Sequence, residues 1–505
     1  MRADTRQNIN AAEKLASEFL ETIQVSGNYL RRPIEQLAEM ATSQNEIRMA
    51  EATKAIFASL VERLADSFDP RAVPVYNRLM AQLIQHCRKT ERGSLLDERL
   101  NKFKMIGEGD LIARAEKLNN VQKLGWSQQE RSRVKRIIIL SRVTIGADVA
   151  VTSVIIERLK HEFPDAEIAL AGGGKVSEIF GGDRRLSFHS VGYVRAGTTI
   201  DRLLAWNGAL VYVHYPLQFM ASDEYLIIDP DSRLTQLGLL PFAGSKSIFD
   251  QSDEIILPAN NYLFFPSRLY GSDTRKSLGE LTALWLDEIF GTSRALLPRV
   301  SLPQKDIETG AEVVRRMRAS GAKQIVAINF GIGENPAKRL GDEFERLLVS
   351  GLIQQGASVI LDKGFGEEEE KRADEVIEHV KNTAREGRAI CVIEADEESL
   401  EQMLGADDKL QTDMLVWRGR IGLFAALISQ SDLYTGYDSA FQHIAASLGL
   451  PCIDIFAGFS SPRMVDRWRP TGPRKAQVLA VDTLNHQPNT DTILSDVLAL
   501  ACKLQ

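Results

Sequence analysis

A chain of 505 residues is too long for one ordinary hydrophobic core, so two or three domains are expected. With 44% apolar and 26% charged residues it has a globular balance, and no run approaches the roughly 20 apolar residues of a membrane helix. The formal net charge of -7 argues against a chain-wide nucleic-acid footprint, and the scattered Cys87, Cys391, Cys452 and Cys502 argue against a disulfide framework or a C-x-x-C zinc site. The opening M-R-A-D-T-R-Q-N lacks the apolar run of a signal peptide, so a cytoplasmic location is expected.

Residues 1–130 read as helical, with apolar residues at three- and four-residue steps over 12–23, 34–40, 47–68 and 75–87. Pro33 suits a first helical turn. No titratable cluster there points to chemistry, and the expected role of this extension is packing, docking or self-association.

The texture changes at 131–300. The run K-R-I-I-I-L-S at 135–141 predicts a buried strand, 148–162 a helix, and 166–171 the next strand, which together make a βαβ unit. Further strands are expected at 209–214 and 225–229. Residues 301–505 repeat the alternation. Helices are expected at 306–320, 341–355, 421–431, 439–448 and 491–502, and strands at 324–330, 357–362, 433–436 and 451–456. The fold class is therefore α/β, with two doubly wound Rossmann-like domains behind an all-helical extension and a ligand cleft at the carboxyl ends of the strands.

Three segments sit where such a cleft would be. In T-G-Y-D-S-A-F-Q-H at 435–443, Asp438 is placed to cap a helix whose free N–H groups and dipole favour an anion. Ser439 and His443 share one face, although His443 also fits a core position. In N-F-G-I-G-E-N-P-A-K-R-L at 329–340, Gly331 and Gly333 permit a tight turn, and Lys338 with Arg339 suits a diphosphate as well as an exposed helix start. In S-R-V-T-I-G-A-D at 141–148, Asp148 is either a helix cap or a carboxylate aimed into the cleft.

The spacing D-[ST]-x-x-x-H-x-A-A-x-L-G-x-P at 438–451 resembles the donor-binding element of the heptosyltransferase-like glycosyltransferases, family 9, which adopt the two-domain GT-B fold. The resemblance extends over about 134–480, with its specific motifs near 146–152, 329–340 and 436–458. It implies inverting transfer of a heptose-like or hexose sugar from a nucleotide-diphosphate sugar to a glycan, lipid-linked or other hydroxyl acceptor in bacterial surface-polysaccharide synthesis, such as that of lipopolysaccharide. It implies no required metal or other cofactor.

By the same resemblance Asp148 is the base, and Lys338, Arg339, Ser439 and His443 hold the diphosphate. Asp438, Ala440, Gly331 and Gly333 shape the donor loop, and an acidic residue near Glu367 binds the nucleoside. This chain departs from the family in two places. It has Asp-Ser-Ala440 where Asp-Thr-Gly is usual, and Ala147 is inserted between Gly146 and Asp148.

Lys175, after a Gly-Gly-Gly run, and Arg233 are candidates for the acceptor side. Asp229-Pro-Asp231 spells a D-x-D, but its Pro suggests a turn rather than a metal site. Peripheral association with the inner face of the membrane and self-association through the N-terminal helices are compatible with these features. Nucleic acid is not an expected partner. The competing classes are a sugar-nucleotide epimerase and a non-catalytic binding or assembly protein of the same fold.

Overall fold

The structure is a computed structural model that describes residues 10–504 except 121–122, 193–196, 218, 239–260, 334, 386 and 407–408. The opening segment of the sequence lies outside the described residues, as does Glu334 in the Lys338 loop. Two parallel sheets organise the chain.

The first contains β1 (Arg136–Leu140), β2 (Glu167–Gly172), β3 (Leu186–Ser190), β4 (Tyr225–Asp229) and β5 (Tyr262–Phe264), in the order β3-β2-β1-β4-β5. The second begins with β6 (Gln324–Asn329) and β7 (Ala357–Asp362). After a small antiparallel hairpin, β8 (Ala384–Arg385) and β9 (Arg388–Ala389), it continues with β10 (Val392–Ala395), β11 (Met414–Trp417), β12 (Leu433–Tyr437), β13 (Cys452–Ala457) and β14 (Gln477–Val481). Its order is β10-β11-β7-β6-β12-β13-β14. Each sheet reverses its strand order once, between β1 and β4 and between β6 and β12, and ligand sites open at such points. This is the two-domain GT-B arrangement.

Strand residues alternate between faces. Ile137, Ile139, Ile168 and Leu170 turn toward the second sheet and share one core with its inner helices, Gln304–Ala319 and Ile421–Gln430. Ile138, Leu140, Ala169 and Ala171 turn the other way and are buried under Phe19, Leu37, Leu60, Tyr76 and Leu83 of the N-terminal helices. The helical extension is thus a third layer, and its apolar stripe is spent on the sheet.

Residues 209–214, expected to be a strand, are helical. They belong to the helix Thr199–Leu217, whose Leu203, Trp206, Leu210, Val213 and Leu217 are buried at helical spacing against the same sheet face. The β-branched run was overridden by this longer period. Among the described residues no helix is long and apolar enough to cross a membrane.

Candidate functional site

A cavity of about 1350 Å³ lies between the carboxyl ends of the two sheets, lined from both and from the N-terminal helices. Its floor on the second sheet is a polar node. The strand β6 ends Val-Ala-Ile-Asn329 and pairs in parallel with β7 and β12, so Asn329 stands beside Asp362 on one side and Gly436 on the other. The Asn329 amide donates to Asp362 at 2.7 Å, while its carbonyl oxygen accepts from Gly331 N and the Ser439 hydroxyl, both at 3.1 Å. Burial pushes the Asp362 carboxyl up to about 7.

Above the node Lys338 donates to the Asp438 carboxylate at 2.5 Å. Its loop is held by the Thr483 hydroxyl, which donates to the Ala337 carbonyl at 2.6 Å, and by Gly458, where a Cβ would meet that carbonyl carbon at 2.6 Å. Burial favours the neutral amine, but Asp438 outweighs it and keeps the ammonium above its ordinary range.

The helix Ala440–Ser447 begins at Ser439, not at Asp438. The expected cap fails because the Asp438 carboxylate is taken by Lys338 and by the Gln442 amide at 2.5 Å. Hence no side chain covers the first N–H groups of this helix, which face the cavity with Ser439 and Ala440. His443 is buried, which lowers its pKa to about 4, so the ring is neutral near pH 7 and offers one N–H rather than a charge.

Gly331, Gly333, Lys175 and Arg233 also line the cavity. Gly333 needs its φ of 61°, and the Lys175 ammonium sits 4.1 Å from the Phe365 ring centroid across the cleft. Two expected residues are elsewhere. Arg339 is turned away into Glu345 and Asp342, because the buried Glu345 carboxylate requires a partner. Glu367 is exposed at the start of the helix Glu367–Lys381, whereas Glu369 lines the cavity and accepts from Phe365 N at 2.8 Å.

Asp148 is likewise absent from the cavity lining. Its side chain is fully buried, accepting from Ser141 Oγ at 2.6 Å, Arg142 N at 2.8 Å and Thr152 Oγ1 at 2.7 Å. The extra residue is absorbed as a π-helical turn over Asp148–Thr152, and that turn leaves Ala147 in the cavity wall while Asp148 organises the loop from behind. Burial raises the Asp148 carboxyl, and the three donors oppose the rise.

The two departures from the family pattern meet in space. A Cβ on Gly146 would lie 3.2 Å from both Ala440 Cα and His443 Cδ2, so the glycine of one loop accommodates the alanine of the other. The D-x-D is occupied internally. Asp229 accepts from Tyr262 and Ser232, and Asp231 from Ser267 and Arg268. Among the described residues no group of three or more His, Cys, Asp or Glu is arranged to hold a metal ion.

Sequence reasoning missed Asn329, Asp362, Arg142 and Asp66, all of which line the cavity. The first two carried a signal, a polar residue closing each of two apolar strands, I-V-A-I-N and S-V-I-L-D.

Residues 374–494 match the family model described as glycosyltransferase family 9 (heptosyltransferase). No curated protein matches the chain. Among solved structures, the family 9 glycosyl transferase of Veillonella parvula DSM 2008 is 14% identical with a TM-score of 0.46, covering 76% of this chain and 99% of that one. The E. coli ADP-heptose lps heptosyltransferase II is 16% identical with a TM-score of 0.44, covering 73% and 99%. E. coli heptosyltransferase WaaC with ADP is 12% identical with a TM-score of 0.41, covering 72% and 98%.

Proposed function

Because residues 374–494 make the chain heptosyltransferase-like, of the glycosyltransferase family 9 kind, we propose that it is a glycosyltransferase moving a sugar from a nucleotide-diphosphate donor to a hydroxyl acceptor with inversion. The observation that carries the reading is Lys338 beside the uncapped start of the helix Ala440–Ser447, both facing one cavity. An ammonium and free N–H groups together stabilise the charge that develops on a departing diphosphate. Ser439 and the neutral His443 add hydrogen bonds, while Asp362, Glu369 and Asn329 supply acceptors for hydroxyls of the nucleoside or sugar. Across the cleft Lys175, Arg142 and Arg233 favour an acceptor that carries negative charge, such as a phosphorylated or acidic glycan.

The test is a melting-temperature screen with ADP-, UDP-, GDP- and CDP-sugars, followed by nucleotide release with the donor that stabilises most. A donor-dependent rise and slow release are expected. Stabilisation by none of the four classes would sink the proposal.

A further inference from the structure

The cavity wall holds several carboxylates, and nearly all are engaged. Asp438 takes Lys338, Asp362 takes the Asn329 amide, Asp231 takes Ser267 and Arg268, Glu369 takes Phe365 N, and Glu13 takes the Ser59 hydroxyl. Glu62 acts on Lys338. Asp66 differs. No described residue donates a hydrogen bond to it or pairs with it, and its half-buried side chain opens into the cavity. Lys338 from the donor side and Arg142 and Arg233 from the acceptor side act on it at longer range, with Asp438 opposing them. Each cation has a nearer partner: Asp438, the Pro230 carbonyl and Gln236 respectively. A carboxylate held among cations without touching them leaves room for a ligand hydroxyl.

Its position is built from across the molecule. Asp66 ends the short helix Arg63–Asp66, and Phe68 then adopts a φ of 49°, a left-handed conformation uncommon for an aromatic residue. The donor side holds this turn. Arg463 donates to the Phe68 carbonyl at 2.8 Å, Ser461 donates to the Ser67 carbonyl at 3.3 Å, and the Phe68 ring packs edge-on against Trp468. A strained conformation persists only where its surroundings impose it. In the β1 loop, meanwhile, Ala147 stands in the wall and Asp148 is sealed behind it.

Resting on the glycosyl-transfer reading, we infer that Asp66, contributed by the N-terminal helical layer, is the general base that activates the acceptor hydroxyl. The acceptor O–H bond breaks as its proton passes to the Asp66 carboxylate. The oxygen forms its bond to the anomeric carbon, and the bond from that carbon to the diphosphate breaks, leaving the electron pair on the phosphate facing Lys338. Burial raises the Asp66 carboxyl above its ordinary range, which makes it a stronger proton acceptor, and the three cations oppose the rise.

The test uses the full chain, the stabilising nucleotide sugar and water as acceptor, with nucleotide release measured against pH. In the wild type, release rises with pH as Asp66 ionises. Asp66→Asn should lower kcat at least about 100-fold and remove that limb, and Asp66→Glu should recover part of the rate. ADP or UDP affinity should stay within about threefold, a change below 1 kcal/mol. Formate should restore turnover to Asp66→Ala at an unchanged melting temperature. Asp66→Asn turning over within threefold of wild type, or losing nucleotide affinity together with turnover, overturns the inference while the reading stands. A wild-type protein that neither binds nor cleaves any of the four donor classes overturns both.

Discussion

In the seven-stranded sheet the helices on both faces are the one directly before its first strand, Gln304–Ala319, the sheet's own crossovers such as Asp342–Gln354 and Ile421–Gln430, and Thr490–Lys503 after it. In the five-stranded sheet one face is shared by the crossover helix Thr199–Leu217 and by a layer of helices that precede the first strand and come from the first quarter of the chain. The difference decides how each half builds its side of the cleft. Cavity groups of the seven-stranded half stand at the ends of their own strands, Asn329 on β6, Asp362 on β7 and Asp438 just after β12. The five-stranded half completes its wall with Asp66, 70 residues before β1 begins at Arg136. A layer that packs on the sheet therefore also lines the cavity.

The comparison can be broken first in the seven-stranded half, through pH. His443 has its pKa lowered to about 4, so the unfolded chain binds its proton more readily. Its contribution is present above the unfolded value near 6.5 and is lost as pH falls toward 4, on the order of 3 kcal/mol. His443→Gln should flatten that loss, measured as unfolding midpoint against pH; an unchanged slope would contradict a buried neutral ring. Asp362 runs the other way. Its carboxyl is raised to about 7, so it costs stability as pH rises from about 4 to 7. Asp362→Asn should raise the melting temperature more at pH 8 than at pH 5.

Lys338→Ala should weaken ADP or UDP binding roughly 10- to 100-fold by calorimetry, the loss expected for a charged hydrogen bond of about 1.5–3 kcal/mol. The seam between the halves is probed by Gly146→Val, since even a Cβ there lies 3.2 Å from Ala440 and His443. Overpacking of this kind costs about 1–3 kcal/mol and should lower the melting temperature and open the cleft to limited proteolysis. Arg463→Ala removes the donor to the Phe68 carbonyl and should speed amide exchange over 63–70, at a cost of about 1–2 kcal/mol. The smallest effect separates two neighbours. Glu367→Ala should leave nucleotide affinity unchanged by calorimetry, whereas Glu369→Ala should weaken it, because only Glu369 lines the cavity.

Much of the second domain was legible because its signals are short-range. A strand of β-branched residues closing in a polar side chain, followed by a helix start, places Lys338, Ser439 and His443 together within a few residues of their strands. The roles of neighbours within a motif were less legible. Arg339 and Glu367 are as charged as Lys338 and Glu369, but a buried Glu345 draws the first away and helical phase turns the second outward. In the first domain the L-V-Y-V run at 210–213 has strand composition, yet the helical period of the flanking Leu203, Trp206 and Leu217 prevailed once they had a sheet to cover.

By itself the sequence determined the two alternating α/β halves, the amphipathic helices before them and the strand-to-helix element at 435–443, because periodicity and strand-end chemistry are properties of adjacent residues. Tertiary structure alone decided that Ala147 rather than Asp148 faces the cleft, since a π-turn absorbing one residue is settled by packing. It alone also gave Asp66 a place among Arg142, Arg233 and Lys338. On its helix Asp66 is indistinguishable from a solvated acid, and only contacts spanning hundreds of residues bring it to the cavity.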